Sequence, residues 1–348
     1  DGNDKDSLPK LSAADVGGPG SSQTVDVYDV DGDGDMDTVF GNTDQTASTY
    51  YKDGSGKFIE APNLSDPVGT AYEPEPPVTT AAGTLTSDGT AGMVTNGEVF
   101  AYDEDAGWVK VDDLLEFDTM ATKDVEMADV NGDGLDDIIV VTENGTPNVV
   151  YINDGNGRFP DPPTEIGSQK GALSKEAEDV EAVDVNGDGV MDIVVANSDG
   201  PSQIFYGDSA SPGDYSGVAG TPIPGTEDED ASSIDLGDLD GDGDIDIVIG
   251  VVGGPNKAYI NNGGGTFLEV PLGPSNDKSA TQDVEMVDVD GDGFPDVVIG
   301  NADAPDLVIL SGGTPLTAGD LAVPGDVLGA DDLSTRDIEV DDVNGDGV

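Results

Sequence analysis

The sequence predicts an all-β fold, a single β-propeller of seven four-stranded blades covering residues 1–348. Three observations predict it. A nine-residue acidic pattern recurs along the chain. Its copies follow one another at 50 to 55 residues. Each interval holds four short strand-like segments separated by turn residues.

The pattern is Asp-x-(Asp/Asn)-x-Asp-Gly-x-x-Asp. It occupies 29–37, 129–137, 184–192, 238–246 and 288–296, and a copy at 342–348 stops before its ninth position. The last five copies start 55, 54, 50 and 54 residues apart, and the first interval, 100 residues, is two periods. A degenerate copy fits that gap at 84–92, where Asp88-Gly89 survive but Thr84, Thr86 and Gly92 replace the acids. Seven units result, and self-similarity at a fixed period marks a repeat architecture.

Within a unit the elements come in a fixed order. An alternating segment precedes the acidic loop, as in Asp124-Val125-Glu126-Met127-Ala128. A β-branched run follows it (138–142), then a third segment (148–153), a Gly-rich turn (154–157) and a short strand opening on Phe159. The same grammar returns at Tyr51 to Phe58 and at Tyr259 to Phe267. Four short strands per period with Gly, Pro and Asn turns read as propeller blades; a linear solenoid normally uses shorter repeats.

The termini are expected to share one blade. Asp1-Gly2-Asn3 matches the turn Asp154-Gly155-Asn156, and Val348 falls inside the seventh loop. Completion of that blade then requires either continuation of the polypeptide or strands from another chain. Sharing a blade between termini removes open sheet edges.

Composition narrows the chemistry. Twelve basic against 74 acidic residues give a net charge of −62, with no His and no Cys. Disulfides, Cys or His metal sites and His-based catalysis are excluded. Nucleic acid is a poor partner, since phosphate neutralisation needs clustered Lys and Arg. No run of about 20 apolar residues suggests a membrane span. Cations, neutral ligands such as sugars, and basic or cation-bridged surfaces remain as partners.

Oxygen ligands at alternate positions of a tight loop are what Ca²⁺ requires. Side chains at positions 1, 3, 5 and 9 converge, position 7 offers its carbonyl, and Gly at position 6 permits the turn. Position 7 is Asp35, Leu135, Val190, Asp244 and Phe294, so no side-chain type is needed there. The twelfth position is Phe40, Val140, Val195, Ile249 or Ile299 rather than Glu, so the loop is not an EF-hand. Mg²⁺ prefers to keep its waters. Solvated Asp-Gly turns are the alternative for one isolated copy, but not for five copies in register. Five Ca²⁺ would move the formal charge from −62 to −52.

Loop and following strand together resemble the FG-GAP/VCBS repeat of integrin α-subunit-type β-propellers, over nearly the whole chain and most weakly at residues 60–100. The resemblance implies Ca²⁺ loops on one face of the ring and an extracellular setting. Carried over by position, the ligands are Asp29, Asp31, Asp33 and Asp37; Asp129, Asn131, Asp133 and Asp137; and Asp184, Asn186, Asp188 and Asp192. They continue as Asp238, Asp240, Asp242 and Asp246, then Asp288, Asp290, Asp292 and Asp296, and the truncated copy offers a sixth set in Asp342, Asn344 and Asp346.

Weaker signals stand beside these. An acid three residues before most loops (Asp26, Glu126, Glu181, Asp235, Glu285, Glu339) either rings a central channel as a cation or basic-ligand site, or is simply tolerated by water. Asn63 and Asn144 head N-glycosylation sequons. Residues 73–77 (EPEPP) read as an extended loop in the degenerate blade. Trp108, Tyr102 and Phe100 suit either sugar stacking or packing between blades. Function is expected to be a secreted, calcium-binding adhesion or filament-building module without enzymatic activity, meeting other protein subunits, further copies of itself, or cell-surface and matrix glycans. The alternatives are a lectin-like glycan binder and a carbohydrate-active enzyme, whose site would interrupt the repeat near residues 60–110.

Overall fold

The computed structural model describes residues 22–30, 36–42, 48–53, 57–60, 79–95, 97–103, 107–114, 121–143, 145–160, 162–167, 176–274, 278–311, 314–321, 325–328 and 335–338. Among them are six four-stranded sheets, each with its strands hydrogen-bonded in chain order. The first comprises β1 (Ser22–Tyr28), β2 (Asp37–Asn42), β3 (Ser48–Asp53) and β4 (Lys57–Glu60). The second, built on the degenerate repeat, has β5 (Thr80–Thr84), β6 (Ala91–Thr95), β7 (Glu98–Asp103) and β8 (Gly107–Asp113). The third has β9 (Thr122–Ala128), β10 (Asp137–Thr142), β11 (Val149–Tyr151) and β12 (Thr164–Glu165).

The fourth sheet holds β13 (Ala177–Val183), β14 (Asp192–Asn197), β15 (Gln203–Phe205) and β16 (Thr221–Pro222). The fifth holds β17 (Ala231–Gly237), β18 (Asp246–Val251), β19 (Asn256–Asn261) and β20 (Phe267–Leu272). The sixth holds β21 (Thr281–Val287), β22 (Asp296–Asn301), β23 (Asp306–Ile309) and β24 (Asp326–Leu328), with the short helix α1 (Ala318–Leu321) before its last strand.

The second strand of each unit explains the β-branched runs. Every residue of β10, β14, β18 and β22 is buried. Successive side chains point to opposite faces of a strand. Ile138 and Val140 therefore pack with Val94 and Val99 of the second sheet, whereas Ile139 and Val141 pack with Val180, Ile193 and Val195 of the fourth. The fourth sheet then turns Val194 and Ala196 toward Ile247 and Ile249 of the fifth. The core lies between sheets rather than inside one of them. Burying each such side chain stabilises the fold by roughly 1.5–3 kcal/mol.

First strands surround a central hub. Residues of β1, β5, β9, β13, β17 and β21 line one cavity of about 210 Å³. Segment 335–338 belongs to the same circle. Ile338 N–H donates to Asp283 Oδ2 on β21 at 2.6 Å, and Val25 N–H on β1 donates to Asp337 Oδ2 at 2.5 Å. The sixth sheet is thus joined to the first through this segment, and the sheets run around an axis. Both termini, Asp342, Asn344, Asp346, the sequon asparagines Asn63 and Asn144, and residues 73–77 lie outside the described residues.

One expected strand falls elsewhere. Phe159 opens no strand; the outer strand of the third sheet is Thr164–Glu165. Pro160, Pro162 and Pro163 lack the N–H a ladder needs. Phe159 is instead buried at 3% exposure, and its N–H donates to Asp112 Oδ2 of the second sheet at 2.8 Å. Phe267, by contrast, opens β20 as expected. The aromatic group also resolves to packing: Tyr102 and Trp108 meet edge to face at 5.7 Å, against a cluster holding Val30, Val39, Met93 and Phe100 from the first two sheets.

Candidate metal centre

Each acidic loop connects the first strand of a sheet to the second. Its ninth residue is the first residue of the buried strand: Asp37, Asp137, Asp192, Asp246 and Asp296, all at 0% exposure. A buried carboxylate must be satisfied, and main-chain donors do so from two directions. Oδ2 accepts the N–H of loop position 2, from Val30 (3.0 Å), Val185 (3.1 Å), Leu239 (2.9 Å) and Val289 (3.0 Å). Oδ1 accepts the N–H that ends or follows the third strand, from Asn153 (2.8 Å), Gly207 (2.8 Å), Asn261 (2.7 Å) and Ser311 (2.6 Å). The ninth aspartate thereby fastens its loop to the sheet.

Position 1 shapes the turn. Asp129 accepts N–H groups from Gly132 (2.7 Å), Asp133 (3.0 Å) and Gly134 (2.7 Å); Asp184 and Asp288 accept from the equivalent residues at positions 5 and 6. Wrapping the chain around one carboxylate needs left-handed backbone at positions 4 and 6. Gly132 and Gly134 supply it at φ 77° and 89°, Gly241 and Gly243 at 74° and 93°. The glycine at position 4 is a requirement that the repeat pattern left as an unspecified residue.

In the fifth and sixth sheets, positions 1, 3 and 9 converge. Carboxylate oxygens of Asp238, Asp240 and Asp246 all lie within 4.8 Å of one another, as do those of Asp288, Asp290 and Asp296. Position 5 sits beside this group: Asp242 lies against Asp240, Asp292 against Asp290, and each accepts the N–H of position 7, Asp244 (3.0 Å) or Phe294 (3.1 Å). Asp133 and Asp188 hold the N–H of Leu135 (3.1 Å) and Val190 (2.9 Å) in the same way. In the third and fourth sheets position 3 is an amide. Asn131 Nδ2 donates to Asp137 Oδ2 at 3.1 Å, and Asn186 Nδ2 to Asp192 Oδ2 at 3.1 Å. In the first loop Asp29 and Asp37 are described, while Asp31, Asp33 and Asp35 lie outside the described residues.

The electrostatics are those of a crowded anionic pocket. Burial first, then the neighbouring Asp133 and Asp129, push Asp137 up to about 7. Burial likewise raises Asp192 to about 6, with Asp188 and Asp184 adding to it, and Asp246 to about 6, with Asp240 adding to it. Asp238 Oδ1 is buried with no hydrogen-bond donor. An all-oxygen donor set with an unmet buried oxygen fits a hard divalent cation and no soft one.

The degenerate loop is held differently. Asp88 accepts from Thr86 Oγ1 (2.5 Å), Thr90 Oγ1 (2.7 Å) and Thr90 N (3.2 Å), and these hydroxyls, Thr86 first, lower its pKa. From the third sheet Asp136 Oδ2 accepts Thr84 N–H at 2.5 Å, and Asn153 Nδ2 donates to Leu85 O at 2.9 Å. Side chains thus brace this turn where the other loops converge acids.

At the hub, Glu126, Glu181, Asp235 and Glu285 line the cavity, and the side chain of Asp26 and all of Glu339 lie outside what is described. Asp235 itself ties β17 to β21 by accepting Met286 N–H, but the other acids that tie one first strand to the next sit two residues earlier, at Asp124, Asp179, Asp283 and Asp337. Sequence reading missed them; the signal was a polar residue five positions before each loop.

Comparison with known proteins agrees with this geometry. Residues 129–195, 184–249 and 238–299 match the model of the FG-GAP-like repeat. No curated protein matches the chain. Among solved structures, a lectin of Agrocybe aegerita, described for its specific recognition of non-reducing terminal N-acetylglucosamine, is similar over 85% of this chain and 78% of that one, at 21% identity and a TM-score of 0.58. BBS1N in its complex with ARL6DN is similar over 88% of this chain and 80% of that one, at 14% identity and a TM-score of 0.52. Likenesses at these identities concern the fold, a β-propeller.

Proposed function

Residues 129–299 are FG-GAP-like repeats of a β-propeller, and from that premise we propose a seven-bladed, calcium-rigidified module that binds rather than catalyses. The observation that carries it is the convergence of Asp238, Asp240 and Asp246, repeated by Asp288, Asp290 and Asp296. Five complete loops take five Ca²⁺, and Asp342, Asn344 and Asp346 contribute to a sixth. The ligands are the side chains at positions 1, 3, 5 and 9 with the position-7 carbonyl. Bound Ca²⁺ supplies the positive charge that offsets the crowded carboxylates. The seventh blade is supported by segment 335–338, which takes a first-strand place between β21 and β1.

The module is proposed to work outside the cell, as an adhesion or assembly unit. The absence of His and Cys from the whole sequence supports binding over catalysis. A glycan-binding role is the second reading, favoured by the fold likeness to a lectin over 85% of the chain. Electron microscopy and light scattering of the calcium-loaded protein, with a glycan array in parallel, separate the two. Ordered polymers without array binding support assembly; a monomer retained on defined glycans supports the lectin; a monomer that binds neither glycans nor matrix protein contradicts both.

A further inference from the structure

The hub ties form a chain of side chain to main-chain hydrogen bonds that passes from sheet to sheet. Val180 N–H donates to Asp124 Oδ2 (3.3 Å), Ile234 N–H to Asp179 Oδ2 (2.7 Å), and Val284 N–H to Ser233 Oγ (3.2 Å). Ile338 N–H donates to Asp283, Val25 N–H to Asp337, and Thr24 Oγ1 meets Thr80 Oγ1 at 2.8 Å. A β-bulge immediately precedes the tying residue on β1, β9, β13, β17 and β21, at Ser22/Thr24, Thr122/Asp124, Ala177/Asp179, Ala231/Ser233 and Thr281/Asp283. Bulges re-aim side chains, and here each directs a polar group at the next sheet.

Two of these links bring carboxyl groups together at the one cavity: Asp124 with Asp179, and Asp283 with Asp337. Two carboxylates accept but cannot donate, so each contact requires one proton between the pair. We propose that the hub is a proton-held seam: one shared proton joins β9 to β13 through Asp124 and Asp179, and the Asp283–Asp337 proton fastens segment 335–338 between the sixth and first sheets. This seam is separate from the calcium loops, which begin five residues further along each repeat.

The surroundings reinforce it. Asp283 and Asp337 are faced by Asp235 on β17, Asp179 and Glu181 on β13, Asp124 and Glu126 on β9, and Glu285 on β21; β1 and β5 bring Thr24 and Thr80, and no Lys or Arg is among the residues lining the cavity. Arg336, next to Asp337 in the chain, is exposed. Burial, then the Asp283 charge, pushes Asp337 up to about 9, and burial, then Asp124, holds Asp179 well above the usual range. An aspartate in the unfolded chain titrates near 3.9, so the native state keeps protons that the unfolded state loses. The seam's contribution is full below about pH 3.9 and is lost as pH rises toward about 9.

The test is urea unfolding of the whole chain, parent and Asp337→Asn, at a series of pH values with calcium saturating so that loop carboxylates carry no protons. Asn keeps a donor toward Asp283 without titrating. The parent midpoint is expected to fall from about pH 5 to about pH 9, and the variant to fall less and to exceed the parent at about pH 8. A variant that follows the parent's slope, or is less stable than the parent at that pH, overturns the proposal. Infrared spectra of the parent cover the case of a variant that does not fold: a protonated-carboxyl C=O band persisting above neutral pH is expected, and its absence overturns the proposal. The unfolding readout does not depend on whether the loops bind calcium, since only the difference between parent and variant is judged; the infrared band is read at about pH 8.5, above the value of about 7 at Asp137, the highest of the described loop carboxyls.

Discussion

Asp246 and Asn261 are joined where the acidic loop meets the end of β19. Asn261 N–H donates to Asp246 Oδ1 at 2.7 Å, while Asn261 Nδ2 reaches back to Ile245 O at 3.0 Å and to Val185 O of the preceding sheet at 2.8 Å. One residue therefore connects an acidic loop, the strand end beside it and the neighbouring blade. Asn153 does the same for Asp137 and Leu85.

Truncating the Asn261 side chain should loosen the loop from the preceding sheet, while the main-chain N–H still holds Asp246. Asn261→Ala removes the donor to the buried Val185 carbonyl and the part-buried Ile245 carbonyl, and a buried group left unmet costs about 1–3 kcal/mol. Urea unfolding is expected to show a loss of that order, together with weaker calcium binding at the fifth sheet. Unchanged stability would mean that water takes over both contacts.

Calcium stabilisation should grow with pH. Without metal, the raised values of Asp137 (about 7), Asp192 (about 6) and Asp246 (about 6) mean that the folded chain holds protons the unfolded chain has lost. What these three groups contribute to the metal-free fold is accordingly full below about pH 4 and is lost as pH passes through 6 to 7. Protons and Ca²⁺ compete for the same carboxylates. The Tm difference between calcium and EGTA is expected to be small near pH 5 and larger near pH 8, by differential scanning fluorimetry, to order of magnitude.

Two classes of loop should be distinguishable. Asn131 and Asn186 donate a hydrogen bond to the ninth aspartate, whereas Asp240 and Asp290 add a third convergent carboxylate. Calcium affinity rises with ligand charge. Calorimetric titration is expected to resolve tighter sites in the fifth and sixth sheets, and Asp240→Asn to weaken its site by about tenfold. Asn131→Asp should tighten its own site but lower stability in EGTA.

The loop glycines should matter for backbone reasons alone. A Cβ at Gly243 meets nothing within 4 Å, yet φ is +93°. Gly243→Ala is expected to cost about 1–2 kcal/mol. Gly217→Ala, equally open and without a left-handed φ, should be neutral.

Much of this molecule was legible in its sequence because the repeat writes one physical requirement several times. The doubly buried strands appear as β-branched runs such as Ile138 to Val141, and the loops as acids at alternate positions. What stayed hidden depends on contacts between units. Asp124, Asp179, Asp283 and Asp337 carry the hub, but Ser233 and Thr24 hold the same register, so no single residue type marks it. The outer strand of the third sheet begins at Thr164 because Pro160, Pro162 and Pro163 withhold donors, and an aromatic signal at Phe159 pointed too early. Trp108 could be placed only once the first two sheets were seen to share a core.

Calcium as the brace of the ring is tested most directly by thermal unfolding of one sample in excess calcium, after EGTA, and after calcium is restored. Saturation at 100 times Kd stabilises each loop by about 2.7 kcal/mol. Several braced loops acting together predict a large, reversible fall in Tm on chelation and full recovery on calcium return. Superimposable melting curves in all three conditions would contradict it.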